Sequence, residues 1–122
     1  MTETIERYVS AWNELTPATV KAALEQCCAT RISYTDKNMP TYTDKNTPVI
    51  TGINALTDLV MLSHKKVPGR TFSVLTAPEY FEGHCYYTWG INIPGTGERV
   101  GHDYIIYNDA NKIVSIVGFL PV

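Results

Sequence analysis

Asp103 is the residue most at odds with its surroundings in this sequence of 122 residues. It falls in the middle of an extended apolar stretch, with Ile105 on its own face by strand alternation, and Asp is disfavoured in strands. A carboxylate placed there needs a hydrogen-bonding partner or a pKa raised by desolvation. With a raised pKa it becomes a proton donor or acceptor that works near neutrality. The structural alternative is an Asp held by a neighbouring Tyr, Trp or His, with no chemical role. Trp12, Trp89 and Tyr107 are large side chains suited to lining a ligand pocket or to ordinary core packing. His64, His84 and His102 have no metal-ligand spacing, and alternation sends His102 and Asp103 to opposite faces of one strand. No metal site is expected. Cys27, Cys28 and Cys85 are odd in number and form no CxxC motif. Adjacent Cys27 and Cys28 do not suit an ordinary disulfide. Cys85 is either a pocket thiol or an inert buried one.

The elements that must position these residues divide the chain in two. Ile5, Tyr8, Val9, Trp12 and Leu15 recur at helical spacing. Thr16-Pro17 supplies an N-cap and a first-turn proline for a second helix, whose Val20, Ala23, Leu24 and Cys27 face the core. Thr51-Gly52 opens a third, carrying Ile53, Leu56, Leu59, Val60 and Ser63, which Pro68-Gly69 ends. The rest reads as antiparallel strands over 70–81, 84–93, 98–107 and 112–120. Glu82-Gly83, Pro94-Gly95-Thr96-Gly97 and Asn108-Asp109-Ala110-Asn111 separate them. In the stretch 84–93, His84, Tyr86 and Thr88 share one face and Cys85, Tyr87 and Trp89 the other; the pattern does not say which looks inward. Between the second and third helices the segment Tyr34–Thr41 is repeated at once as Tyr42–Val49, with six of eight positions identical. The repeat is a small tandem duplication that lengthens a loop or hairpin, or a rim over a pocket.

Helices followed by strands make an α+β domain, here a single one over residues 1–122. The chain resembles the nuclear transport factor 2-like superfamily, especially its SnoaL-like and ketosteroid-isomerase-like members. The resemblance covers nearly the whole chain. It is carried by Tyr8-Val9-Ser10-Ala11-Trp12-Asn13 with the break at Thr16-Pro17, by Tyr34-Thr35-Asp36, by Thr51-Gly52, by the stretch Asp103–Ile113, and by Gly118-Phe119. It implies a curved, cystatin-like sheet wrapped around the three helices into a cone, with a deep pocket and frequent dimers. It also implies roles. Asp36 would be the base that moves a proton between carbons, while Tyr8 and a protonated Asp103 would donate to the enolate oxygen, a pattern known for pKa tuning in ketosteroid isomerase. The structural alternatives are a turn-starting Asp36 and a core Tyr8. Counted back from Gly52, Asp44 of the second repeat competes with Asp36 for the base position. The Asp-Arg-Asp group of epoxide hydrolases on this fold is not matched: Arg99 and Asp103 share a strand, but the last strand offers no second Asp. The final strand also lacks the His or Asp usual in polyketide cyclases of the SnoaL type.

Composition narrows the partners. Ten Lys and Arg against 12 Asp and Glu give a formal charge of −2, and the densest basic pair is Lys65-Lys66. That is no phosphate-binding cluster, so nucleic acid is not expected. No apolar run reaches the ~18 residues of a membrane span, and the charged N-terminal segment does not read as a signal peptide. A cytoplasmic protein is expected, without membrane contact. Its eight tyrosines suit a pocket, and the apolar residues on both faces of the strands suit a homodimer. The resulting expectation is a cofactor-independent isomerase or cyclase for a small, apolar, oxygenated ligand, or a non-catalytic binding or dimerisation domain of the same fold.

Overall fold

The computed structural model describes residues 1–39 and 49–121. Most of the second repeat, Asp44 included, lies outside them. Helix α1 spans Thr2–Ala11 and buries Ile5, Tyr8, Val9 and Ala11. Leu15 does not join this face and is 74% exposed. The helix stops early because the Asn13 side chain is engaged elsewhere: it donates to Phe72 O at 2.9 Å and accepts from Phe72 N at 2.7 Å. Helix α2, Pro17–Cys27, starts on Thr16, whose hydroxyl accepts from Thr19 N at 3.2 Å. It turns directly into strand β1, Cys28–Asp36. After the short β2, Ile50–Thr51, helix α3 runs Ile53–Lys66 behind Gly52. The φ of 99° at Gly52 is one that side-chain-bearing residues rarely adopt.

The remaining strands are β3 (Thr71–Val74), β4 (Glu79–Phe81), β5 (His84–Ile93), β6 (Gly97–Tyr107) and β7 (Ile113–Phe119). The expected extended stretch over 70–81 is therefore broken between β3 and β4. Thr76 lies in the break, and its hydroxyl accepts from Thr88 N at 3.0 Å in place of a backbone rung. The seven strands form one sheet in the order β2-β1-β7-β6-β5-β3, with β4 also paired to β5. Its pairings are antiparallel except one: β1 runs parallel to β7. The expected all-antiparallel sheet is thus a mixed one. Helix packing supplies the core, with Ile5, Val20, Leu24, Leu56 and Val60 set against Ile32, Cys85, Tyr87, Ile105 and Ile116. Cys85, Tyr87 and Trp89 are buried, so theirs is the inner face of β5. No helix of the described residues is long and apolar enough to cross a membrane.

Candidate active site

Strand register builds the floor of the site. Gly118 of β7 is the pairing partner of both Asp36 on β1 and Asp103 on β6, and Asp103 is in turn the partner of Tyr87 on β5. One row across four strands thus reads Asp36, Gly118, Asp103, Tyr87. Gly118 carries no side chain between the two acids. A Cβ added there would lie 3.3 Å from the Tyr34 hydroxyl and 3.4 Å from both Asp103 Oδ1 and Asp36 Cβ, so the glycine leaves open the space that the two acids share.

Each acid has its own tyrosine. Tyr87 donates to Asp103 Oδ2 at 2.5 Å and Tyr34 donates to Asp36 Oδ2 at 2.6 Å. The other Asp36 oxygen accepts from Asn38 N at 2.7 Å. Both Asp36 oxygens are therefore engaged, whereas Asp103 Oδ1 accepts no hydrogen bond from the described residues and faces the Gly118 gap. The Trp89 indole N–H, buried and without a hydrogen-bond partner of its own, faces the Asp103 carboxylate without reaching hydrogen-bond geometry. Burial raises the Asp103 carboxyl from 3.8 to about 6, and the nearby charge of Asp36 pushes the same way. The Tyr87 hydroxyl and Trp89 indole pull it back down, because both stabilise the charged form. Burial first, then neighbouring acids and phenols, holds the hydroxyls of Tyr8, Tyr34 and Tyr87 well above their ordinary pKa. All three remain protonated donors at neutral pH.

These residues close one end of a cavity of about 310 Å³, at the small end of the roughly 300–1,000 Å³ typical of ligand sites. Tyr8, Trp12, Asp36, Trp89 and Asp103 all line it. Tyr107 does not: it borders a shallow polar depression with Glu82, Gly83 and Asn108. That corrects its expected place in the pocket, and the reason is its position at the far end of β6, beyond the register irregularity after Ile106. An aromatic chain forms one wall, with Tyr34, Trp12, Phe72 and Trp89 in successive contact at centroid separations of 5.5 to 6.0 Å. Gly101 makes room for its last member, since a Cβ there would come within 2.2 Å of the Trp89 ring.

Sequence reasoning missed Tyr34, Tyr87, Asn38, Phe72 and the spacer role of Gly118. Only Tyr34 left a local signal, because it stands two residues before Asp36 and so shares its face. The thiols do not line the cavity. Cys27 and Cys28 are free, buried and 3.8 Å apart at sulfur, and burial pushes the Cys85 thiol up to about 11. Among the described residues, no group of three or more His, Cys, Asp or Glu could hold a metal ion.

No protein-family model and no curated protein matches the chain. Solved structures do. A candidate isomerase of the SnoaL-like family from Agrobacterium tumefaciens superposes with a TM-score of 0.83 at 22% identity, over 98% of this chain and 96% of that one. A SnoaL-like protein of unknown function from Burkholderia thailandensis gives 0.70 at 10% identity, over 95% and 90%. A candidate SnoaL-like polyketide cyclase from Jannaschia gives 0.67 at 8%, over 97% and 85%. Others are described as NTF2-like or cystatin-like. The chain therefore has the α+β fold shared by SnoaL-like, NTF2-like and cystatin-like proteins.

Proposed function

We propose that this protein is a cofactor-independent proton-transfer enzyme, an isomerase or cyclase for a small apolar carbonyl compound. The observation that carries the reading is the row in which Asp103 offers one unengaged oxygen beside Asp36, in a cavity walled by aromatic rings and protonated phenols. The geometry favours exchanging the roles that the resemblance implied. Asp36 is held by two donors. Asp103, with a pKa near 6, is mostly ionised at pH 7 yet basic enough to accept a proton from a carbon next to a carbonyl. The hydroxyl of Tyr8 makes no well-formed hydrogen bond to the described residues and would donate to the developing enolate oxygen. The same Asp103 then returns its proton to a different carbon, so the reaction consumes no co-reactant. The isomerase and cyclase descriptions of two structural neighbours are compatible with this chemistry.

The test is deuterium uptake from D₂O by a panel of enolisable cyclic ketones, followed by NMR. Exchange accelerated by the protein and lost in Asp103→Asn supports the reading. Exchange unchanged in that variant sinks it. A specific observation favours a second reading, a non-catalytic binding domain: both carboxylates are already bonded to tyrosines of the fold. Ligand binding without accelerated exchange would select it. A homodimer is part of the proposal as well, paired through the outer sheet face, where Tyr86, Val100, Ile106 and Phe119 are exposed, with Glu79 and Glu98 at its rim. A monomeric mass by light scattering at micromolar concentration would remove it.

A further inference from the structure

Arg70 is the largest of the fully buried side chains, and among the described residues no carboxylate lies within ion-pairing distance of it. Its Nη1 donates to Trp12 O at 2.8 Å, its Nη2 reaches Val60 O at 3.4 Å, and its Nε donates to the Ser63 hydroxyl at 3.0 Å. The guanidinium lies 4.7 Å from the centroid of the Phe72 ring, and the His64 ring stands at 3.3 Å. His64 adds no negative charge. Its Nε2 meets Glu14 O at 2.7 Å, and burial together with Arg70 lowers its pKa. A buried cation satisfied only by neutral groups is unusual, because its desolvation is normally offset by an anion. Burial accordingly lowers the guanidinium pKa to about 10.

Arg70 sits directly behind the cavity. Three of its contacts, Trp12, Ser63 and Phe72, line that cavity, and Arg70 itself does not. The Ser63 hydroxyl spends a lone pair on Arg70. Its own proton is donated to none of the described residues and remains available to an acceptor. A hydroxyl polarised by a guanidinium is a stronger donor than an isolated one. The helix wall of the cavity therefore presents a donor backed by a full positive charge, while the acids sit on the sheet floor. Unlike the sheet floor, this helix wall has no anionic oxygen of its own among the described residues that line the cavity.

We propose that the ligand is a small apolar carboxylate whose anionic end docks on Ser63 over Arg70, leaving its carbon skeleton against the aromatic wall and the sheet-floor acids. This deepens the reading of the cavity as a site for proton transfer and rests on it for the reaction, though not for the binding. Ser63 would touch the ligand, and Arg70 would act through Ser63 as a positioning residue. Arg99, which also lines the cavity but is exposed, is the rival anchor for the same anion.

Calorimetric titration of cyclohexanecarboxylate against cyclohexanecarboxamide at pH 7.5 tests the assignment. The acid is expected to bind at least about tenfold more tightly than the amide, as one charge-assisted hydrogen bond allows. Ser63→Ala should erase that preference while amide binding persists, the lost Arg70 contact lowering the melting temperature, and Arg99→Gln should leave the preference intact. Arg70→Lys keeps the charge but not the fork, and should weaken acid binding while amide binding stays constant. No preference for the acid in the parent protein overturns the proposal. So does a preference that survives Ser63→Ala, or one lost only in Arg99→Gln. The deuterium-uptake assay is scored separately. Acid-selective binding without accelerated exchange removes the catalytic reading and leaves this site standing, and accelerated exchange of ketones without acid selectivity does the reverse.

Discussion

On the inner face of the sheet, Tyr34 and Tyr87 each donate to a carboxylate, Asp36 and Asp103. On the outer face, Tyr86 and Tyr104 each share a hydrogen bond with a histidine ring, His102 at 2.6 Å and His84 in a stacked contact. The inner pairs sit among buried residues, where burial and neighbouring acids raise the proton affinity of Tyr34, Tyr87 and Asp103. Phe81 and Phe119, on strands flanking the outer pairs, are 69% and 55% exposed. The same kind of link, a phenol to a titratable group, is thus built twice on strands only one side chain apart. Water decides what each is worth: desolvation makes an ionisable group sensitive to every neighbour, and solvent screens that sensitivity away. Residue type alone does not separate the two faces.

The largest expected effect is on turnover. Asp103→Asn should cost about a thousandfold in deuterium exchange, within the range of a lost general base. His102→Gln on the outer face should leave exchange unchanged, and a comparable loss there would dissolve the contrast. Stability should follow the inner face too. Asp103 holds its proton more tightly folded than unfolded, since its pKa rises from 3.8 to about 6. Its contribution is therefore fully present below about pH 4 and is lost as the pH climbs through 6. The difference is on the order of 3 kcal/mol. Urea unfolding at pH 4 and pH 7 reads it, and Asp103→Asn should flatten it by that amount.

Packing gives the next comparison. Gly101→Ala would drive a methyl into the Trp89 indole, and about 2 kcal/mol of destabilisation is expected from the overpacking, measured as a fall in melting temperature. The smallest effect belongs to the outer face. Tyr104→Phe removes a partly solvated hydrogen bond and should change monomer stability by no more than about 0.5 kcal/mol. Ile106→Asp should do equally little to the fold while converting a dimer to a monomer in light scattering.

Strand β5 was legible because turns bound it on both sides. Glu82 and Gly83 take positive φ values of 44° and 87°, and Gly95 and Gly97 take 79° and 98°. The two acids and Tyr8 were legible as candidates because a carboxylate in a strand and a phenol on an apolar helix face stand out by type. Their meeting across Gly118 was not. It depends on the register of three strands and on a parallel pairing, and neither leaves a local mark in sequence. Leu15 and Tyr107 were misplaced for a related reason. Their periodicity continues past the points where Asn13 and the irregularity after Ile106 redirect the chain. Ser63 was legible only as the last position in the spaced row of the third helix, and Arg70 gave no signal at all, since an Arg beyond a Pro-Gly turn reads as a solvent-facing residue until burial is seen.

The single parallel rung between β1 and β7 sets the order in which the protein can acquire its chemistry. Hairpin neighbours such as β5 and β6 find each other through a short turn. The first strand must wait for the last, across about two thirds of the chain, and closing so long a loop is slow. Asp36 and Asp103 share their gap only once β7 has slid between their strands. A ribosome-bound chain still lacking its final strand would thus carry both acids and have no site. In refolding experiments, ligand affinity should return with the slowest phase, after the fluorescence of the hairpin tryptophan Trp89 has begun to recover.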